Sequence, residues 1–217
     1  MLAGLQGSLL DDLVGDVGDE SGTRFGPLAS SVSRQQLSDG AWVDLCPGWL
    51  SGADGLFERL LGSVGWRAER RQMYDRIVDV PRLTCFYDER AELPDPALTQ
   101  AKQALNERYQ AELGEPFRTA GLCLYRDGRD SVAWHGDDLG RGRTEDTMVA
   151  ILSLGSARPL LLRPRAGGAS SVRYSVGHGD LLVMGGSCQR TWQHAIGKTS
   201  RPVGPRISVQ FRPRGVR

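Results

Sequence analysis

Apolar and polar positions follow a helical spacing in the first half of the chain. Between residues 49 and 64, apolar residues recur every three or four positions, which predicts an α-helix. A second helix is more sharply marked, because Asp95 suits its cap, Pro96 its first turn, and Gly114 the position after its end. The apolar face of this second helix comprises Leu98, Ala101, Leu105, Tyr109 and Leu113.

From about residue 120 the pattern changes to short apolar or alternating segments, most of them separated by Gly, Pro, Asp or Ser. These segments are residues 121–125, 131–137, 148–155, 158–164, 171–176, 180–185, 190–196 and 206–212. Eight short strands spaced roughly 8–12 residues apart are typical of a sandwich or barrel and not of βαβ units. We therefore predict an α+β chain whose C-terminal half is a jelly-roll-like barrel.

Residues 1–40 show little periodicity and are rich in Gly, Ser and Asp. That composition predicts a flexible N-terminal extension. A short strand-like run at residues 41–43 is expected to open the ordered domain, which would span residues 41–217. A chain of 217 residues is long enough for one domain with a sizeable core.

The composition of the chain says more about its cellular location than about its binding partner. No run approaches the roughly 18 apolar residues of a membrane span, and the first residues turn acidic at once, unlike a secretory signal. We therefore expect a cytoplasmic monomer without a membrane partner, in which the four scattered cysteines are free thiols. The net charge of +1 conceals five acidic residues within residues 8–22 and five arginines in the last 17 residues. Charge thus neither supports nor excludes nucleic acid.

Two of the three histidines and one aspartate are candidate metal ligands. His135 and Asp137 lie two apart on a predicted strand, so both side chains should point to one face. His194 lies on another predicted strand, 59 residues later. Two histidines and one carboxylate on one side of a metal are the ligand set of non-haem iron(II) oxygenases. Taken alone, a His-x-Asp pair is more often structural. Zinc is the other metal to weigh, but it would favour a fourth ligand that no cysteine is placed to supply. His178 is interpreted as a turn residue outside the site.

The last predicted strand carries an apolar and a polar face. Arg206, Ser208, Gln210 and Arg212 alternate with Ile207, Val209 and Phe211. The Cα atoms of the two arginines should lie about 20 Å apart at strand rise, so that their side chains can bracket a small dicarboxylate. The planar guanidinium suits this role because it binds a carboxylate through two parallel hydrogen bonds. The alternative interpretation is a strand face that is simply exposed to solvent.

Taken together, these segments resemble the AlkB group of iron(II)- and 2-oxoglutarate-dependent dioxygenases in order and spacing. The matching segments are residues 125–130, 135–138, 153–155, 179–184, 192–194 and 205–212, with a further element at residues 80–82. The resemblance implies a double-stranded β-helix, or jelly roll, with supporting N-terminal helices. It also implies that His135, Asp137 and His194 bind iron(II).

The same resemblance implies a binding site for 2-oxoglutarate. Arg206 would pair with the distal carboxylate of this cosubstrate, Arg212 would lie near its keto-acid end, and Tyr125 would donate a hydrogen bond to it. Cys123 and Ser208 stand at cosubstrate-contacting positions where the family commonly has asparagine, which weakens two polar contacts.

The implied reaction consumes O2 and 2-oxoglutarate and releases succinate and CO2. It hydroxylates an N-alkyl carbon, and the product then releases an aldehyde. Many relatives act in this way on alkylated bases of DNA or RNA, such as 1-methyladenine and 3-methylcytosine, and flip the base into a pocket. The residues expected to contact such a substrate are Asp138, Arg82, Phe86, Tyr87 and Trp134.

One departure leaves the substrate open. The segment between Tyr87 and Asp95 is short, whereas DNA-repair members usually carry a longer aromatic hairpin there. The same oxygenase chemistry on a small molecule or a protein is therefore an alternative. A second alternative is a jelly-roll binding module without catalysis.

Overall fold

The structure, a computed structural model, describes residues 22–73, 76–138, 140–167 and 171–216. The helices there are α1 (Leu28–Ser31), α2 (Ala53–Ser63), α3 (Pro96–Leu113) and α4 (Cys188–Thr191). The strands are β1 (Arg24–Phe25), β2 (Ser33–Gln36), β3 (Ala41–Cys46), β4 (Leu50–Ser51), β5 (Arg67–Met73), β6 (Arg76–Tyr87), β7 (Thr119–Tyr125), β8 (Val132–His135), β9 (Val149–Gly155), β10 (Arg158–Pro164), β11 (Val172–Val176), β12 (Asp180–Gly186), β13 (Trp192–Ile196) and β14 (Arg206–Arg212). Within these ranges, no helix is both long enough and apolar enough to cross a membrane.

Two antiparallel sheets form the body of the molecule. The larger has eight strands in the order β2-β3-β12-β9-β14-β7-β6-β5, and the smaller has four in the order β11-β10-β13-β8. Consecutive strands along the chain often lie in different sheets, as in a jelly roll. The predicted α+β jelly roll with supporting helices is thus confirmed.

The larger sheet has a different core on each of its faces. One face packs on helices α2 and α3, and this core includes Leu60, Leu105 and Val209, none of which is exposed. The other face packs on the smaller sheet through residues such as Ile151 and Leu162. The alternation of side chains along each strand sends neighbouring residues into different cores.

Helix α3 has the bounds that its sequence signals predict. The Asp95 carboxylate accepts a hydrogen bond from the Ala97 backbone N–H at 2.9 Å, which satisfies one of the free donors at the helix start. Gly114 ends the helix with a φ of 80°, a backbone conformation that glycine adopts without steric cost. Helix α2 begins later than residue 49, because residues 50–51 form strand β4, which pairs with β1.

All eight strands predicted after residue 120 are present, but the sequence analysis missed a hairpin upstream of them. Strand β5 pairs with β6, and β6 continues the larger sheet beside β7. Part of this hairpin is rich in charged residues, so it carries neither a clear apolar alternation nor a continuous apolar run.

The expected start of the domain at residue 41 lies too late. Strand β2 pairs with β3 of the larger sheet, and the Trp49 indole N–H donates to the Gly26 carbonyl at 3.0 Å. All four residues of β2 are exposed and polar, which explains why hydrophobic periodicity did not reveal this strand. Of the expected flexible extension, residues 1–21 lie outside the described residues.

Candidate metal and cosubstrate site

Three side chains that could bind a metal converge between the two sheets. Strand β13 pairs with β8 so that His194 lies opposite His135, with the two ring centroids 4.2 Å apart. The Nε2 atom of His135 lies 3.7 Å from Oδ1 of Asp137. One potential ligand atom from each of His135, Asp137 and His194 lies within 4.8 Å of the other two. The structure therefore brings together the three ligands that the sequence analysis predicted.

Asp137 reaches this cluster from just beyond the end of β8, and not from within the strand as predicted. Its backbone N–H donates to Oε1 of Gln189 at 2.9 Å, which fixes the turn. Gly136 is required in this turn, because a Cβ there would lie 2.3 Å from the Gln189 carbonyl oxygen. Sequence reasoning missed Gln189, and the only signal available was the glycine between the two ligands.

Hydrogen bonding orients His135 for binding through Nε2. Its Nδ1 lies 2.8 Å from the Ala133 carbonyl oxygen, which can only accept, so the ring proton belongs on Nδ1. Nε2 then carries the lone pair and faces Asp137. Metal-binding histidines are commonly oriented by such a bond from their other nitrogen.

Electrostatics favours the metal-binding protonation states of the two buried ligands. Burial would raise the pKa of the Asp137 carboxyl, but the charge of Arg212 and the hydrogen bond that it donates hold this pKa below its usual value. Burial, together with the neighbouring His135, lowers the pKa of His194 to about 3. A carboxylate and neutral imidazoles are the forms that bind a metal ion. The donor set of two nitrogens and one oxygen fits iron(II).

Arg212 is tied directly to one of the ligands. Its Nε donates to Oδ2 of Asp137 at 2.7 Å, while Oδ1 is the carboxylate oxygen that faces His135. A guanidinium can donate five hydrogen bonds, so this contact leaves donors for a further anion beside the metal ligands.

At the other end of the same pocket lies Arg206, whose side chain is only 1% exposed. Its Nε donates to Ser153 Oγ at 3.0 Å, but its buried Nη1 has no hydrogen-bond partner among the described residues. A buried cation with a free donor is unfavourable unless an anion binds there. The distal carboxylate of 2-oxoglutarate fits this requirement.

The wall of the pocket between the two arginines is polar. Tyr125, Cys123 and Ser208 all line it, as the sequence analysis expected of cosubstrate-contacting residues. The Arg206 guanidinium lies 5.4 Å from the centre of the Tyr125 ring. Burial raises the pKa of Tyr125 to about 12, which keeps its hydroxyl protonated and able to donate a hydrogen bond. The pocket encloses about 450 Å³ of space, open solvent included.

An apolar groove adjoins this pocket at His135 and Arg82, which line both. The groove lies between residues 79–82 of strand β6 and the smaller sheet, and it contains about 1280 Å³ of space, open solvent included. Arg82 lies on strand β6 and donates to the Ser131 carbonyl at 3.3 Å. Trp134 lines the groove, and the Arg163 guanidinium lies 4.3 Å above its ring.

The other residues predicted to contact the substrate lie elsewhere. Phe86 is 49% exposed and lines a separate depression with Arg214. Tyr87 is next to it on the strand, points the other way and packs against the helix-side core, so the structure does not bring it to the pocket. Asp138 accepts a hydrogen bond from Arg165 Nη2 at 2.8 Å, which holds it away from the lining of both pocket and groove. His178 lies in a turn outside the site, where its Nδ1 accepts from the Gly155 backbone N–H at 2.7 Å.

Comparison with known proteins agrees with this geometry. Residues 44–212 match the family model of the 2OG-Fe(II) oxygenase superfamily. The chain is 34% identical over 198 residues to the alpha-ketoglutarate-dependent dioxygenase alkB homolog 3 of Bos taurus, covering 80% of this chain and 68% of that protein. It is 30% identical over 134 residues to the DNA oxidative demethylase ALKBH2 of Arabidopsis thaliana, covering 51% and 42% of the two chains.

Solved structures show the same fold. That of OsALKBH1 superposes with a TM-score of 0.55 at 16% identity, covering 82% of this chain and all of the other. A 2OG-Fe(II) oxygenase family protein from Burkholderia pseudomallei gives a TM-score of 0.53 at 9% identity, covering 78% and 84%. With the metal-binding triad and the two arginines in one pocket, these matches show that the chain belongs to the AlkB family of 2OG-Fe(II) oxygenases and is a 2-oxoglutarate-dependent dioxygenase that uses iron(II) and O2.

Proposed function

We propose that this dioxygenase oxidatively removes N-alkyl groups from damaged nucleic-acid bases of the 1-methyladenine and 3-methylcytosine type, and releases an aldehyde, succinate and CO2. One observation carries the proposal: a two-histidine, one-carboxylate cluster shares a pocket with Arg206 and Arg212. The substrate class is supported by the relatives, among which ALKBH2 of Arabidopsis thaliana is named as a DNA oxidative demethylase.

In this proposal each end of the pocket has its own task. His135, Asp137 and His194 hold iron(II), which when bound supplies the oxidative chemistry with O2 and 2-oxoglutarate. Arg206 binds the distal carboxylate through its Nη1, which has no partner in the part of the chain that the structure describes, and the Tyr125 hydroxyl donates to the cosubstrate. Arg212 orients Asp137 and neutralises the carboxylate next to the keto group.

We propose that the groove is the binding site of the alkylated base. Because His135 lines both pocket and groove, a base in the groove would lie beside the metal ligands. Val80, Pro81 and Leu161 give the groove an apolar lining suited to a base face, and Trp134 adds an aromatic ring.

Lys198 also lines the groove and can pair with a phosphate. We also propose that Arg82, which lies between the groove and the pocket, contacts the base.

Succinate formation by iron-loaded protein tests this function. Protein purified without oxygen would receive O2 and 2-oxoglutarate, with either an oligonucleotide containing 1-methyladenine or 3-methylcytosine or the same oligonucleotide without the lesion. The expected result is succinate that rises with the lesion, matched by loss of the alkyl group in mass spectra. Parallel reactions on single and double strands and on RNA would identify the nucleic acid.

Two outcomes would change the proposal. Succinate release that is indifferent to every lesion would keep the oxygenase but assign its substrate to the small-molecule or protein alternative. No succinate from folded, metal-loaded protein would leave the binding-module alternative. The His135→Ala variant is the control for iron not bound at the site.

We propose further that the protein acts as a monomer in the cytoplasm. The proposed metal ligands and both arginines lie in a single chain, so the proposed chemistry needs no residue from a partner. The four cysteines are free, which suits a reducing compartment. Sedimentation of the metal-loaded protein would show a dimer if the assembly state is wrong.

A further inference from the structure

Arg158 is a deeply buried cation that has no role in the site described above. It begins strand β10 and is only 1% exposed. Its hydrogen bonds all go to backbone carbonyl oxygens: Nη1 donates to Asp127 at 3.0 Å, and Nη2 donates to Asp130 at 3.0 Å and to Gly197 at 2.7 Å. Its buried Nε has no hydrogen-bond partner among the described residues.

The three carbonyls explain why an arginine occupies this buried position. Burying a charged group costs free energy that an apolar side chain of similar length would not cost. What the arginine adds is a planar fork of donors that reaches all three carbonyls at once. These carbonyls belong to two loops, residues 126–131 between β7 and β8 and residues 197–205 between β13 and β14. The guanidinium therefore joins two segments that are distant in sequence.

Both joined loops contribute to the lining of the groove. Ser131 ends the first loop, and Gly197 and Lys198 begin the second. The loops also contact each other directly, because the Thr199 backbone N–H donates to the Gly128 carbonyl at 2.8 Å. Glycine is required at this contact, since a Cβ there would lie 2.3 Å from the carbonyl oxygen of Thr199. Arg158 thus holds together the junction from which part of the groove is built.

The first loop also orients Arg82. One peptide unit of this loop is held from both sides: its Asp130 carbonyl accepts from Arg158, and its Ser131 N–H donates to the Pro81 carbonyl at 2.8 Å. The next carbonyl, that of Ser131, accepts from Arg82 Nη1 at 3.3 Å. A shift of the loop would therefore move Arg82, which lines both the groove and the pocket.

We propose that Arg158 is a positioning residue for the substrate, because it holds the two loops at the separation and Arg82 in the orientation that an alkylated base in the groove requires. It acts through Ser131, Gly197 and Lys198, since its own side chain lines neither the groove nor the pocket. The inference rests on the proposed function, in which the groove binds the base.

Steady-state kinetics on an oligonucleotide that contains the lesion tests this role. Arg158→Met keeps a long side chain but removes the three hydrogen bonds. The KM for the oligonucleotide should rise about tenfold or more. The values of kcat and of the KM for 2-oxoglutarate should stay within about twofold, the pattern of lost substrate binding. Partial unfolding does not give this pattern, because it lowers the amount of active protein and so the apparent kcat.

Arg158→Lys is the second variant, which decides the question if the methionine variant does not fold. It keeps the charge but loses the planar fork that spans both loops, so the KM for the oligonucleotide should rise less than in Arg158→Met. A parental KM for the oligonucleotide in both variants would overturn the proposal. So would an equal rise in the KM for 2-oxoglutarate, since Arg158 would then act through Tyr125, whose ring centre lies 6.0 Å from its guanidinium.

Amide hydrogen exchange of the metal-loaded protein separates this inference from the proposed function. In Arg158→Met, the backbone N–H groups of Ser131 and Thr199 should exchange about tenfold faster or more, because the loops open locally. The matched control is Arg129→Met, which removes an arginine that pairs with Asp127 inside the first loop only and should exchange like the parent protein.

The two failures differ in the parent protein. If the parent turned over no lesion, the proposed function would be wrong, and the base-positioning role with it. Normal turnover by the parent, together with parental exchange at both amides in Arg158→Met, would overturn the role of Arg158 alone.

Discussion

The two faces of strand β14 place very different demands on seven consecutive residues. On the helix side, Ile207, Val209 and Phe211 are completely buried in the apolar core against α2 and α3. On the pocket side, Arg206 is just as deeply buried but is surrounded by polar groups. Arg206 and Ser208 are thus nearly as buried as the apolar residues of the other face, yet the energetic consequence of their burial differs.

Burial on the helix side stabilises the fold by itself. Each fully buried apolar side chain contributes about 1.5–3 kcal/mol. On the pocket side, a buried guanidinium costs free energy unless its donors are paired, and Arg206 Nη1 is unpaired among the described residues. The helix face of β14 therefore holds the sheet in place, whereas the pocket face forms a site whose hydrogen bonds a bound anion completes.

The greatest loss of activity is expected when one of the metal ligands in the pocket is removed. His135→Ala removes a ligand whose side chain is partly exposed and supports little of either core. Turnover should fall by about a thousandfold or more, which corresponds to about 4 kcal/mol of lost transition-state stabilisation. Succinate formation would be measured together with the thermal midpoint. A variant that unfolds at the parental temperature but has parental activity would show that iron is not bound here.

The next largest change is a loss of stability, without loss of 2-oxoglutarate binding, when a residue on the helix side of β14 is shortened. Ile207→Ala should lower the free energy of unfolding by about 2–5 kcal/mol, because it leaves a cavity in the apolar core. Denaturant titration would measure this, with Ile207→Val as the matched control at about 0.5–1.5 kcal/mol. The KM for 2-oxoglutarate of the folded fraction should stay parental in both. A raised KM in Ile207→Val, with stability intact, would mean that the two faces of the strand are coupled.

The same contrast explains which features the sequence could predict. Strands after residue 120 and helix α3 follow from periodicity and capping residues, because the helix buries one apolar face and the strands are short apolar or alternating segments packed in the two cores. Hairpin β5–β6 and strand β2 were not predictable in this way, since their stability comes from pairing with a neighbouring strand and not from an apolar pattern of their own.

The candidate site divides along similar lines. Its metal ligands follow from the spacing of His135 and Asp137 and from the resemblance to the AlkB group. Gln189, which fixes the Asp137 turn, comes from a distant helix and carries no local signal. Phe86 and Tyr87 were both expected to contact the substrate, but adjacent residues of a strand face opposite ways, and only the structure shows which of the two faces the core.

A smaller effect is expected at the end of the pocket that lies far from the metal ligands. Arg206→Lys keeps a positive charge but loses the planar fork that can bond Ser153 and a carboxylate together. We expect the KM for 2-oxoglutarate to rise about tenfold with kcat little changed, the pattern of an interaction that binds ground state and transition state alike. Steady-state kinetics at saturating O2 would show this. An unchanged KM would mean that Arg206 is structural and that the cosubstrate binds elsewhere.

The smallest effect concerns the helix layer farthest from the chemistry. Asp95 both caps α3 and pairs with Arg59 at 2.7 Å. Asp95→Ala should cost about 1 kcal/mol of unfolding free energy, because the cap is lost, whereas Asp95→Asn keeps a capping oxygen and should cost less. Neither variant should alter the affinity for 2-oxoglutarate, since α3 reaches the pocket only through the apolar face of the sheet. A fall in 2-oxoglutarate affinity together with the expected fall in the denaturant midpoint would contradict this prediction. It would mean that helix α3 affects the binding site through the sheet. The two faces of β14 would then be independent in packing but not in function.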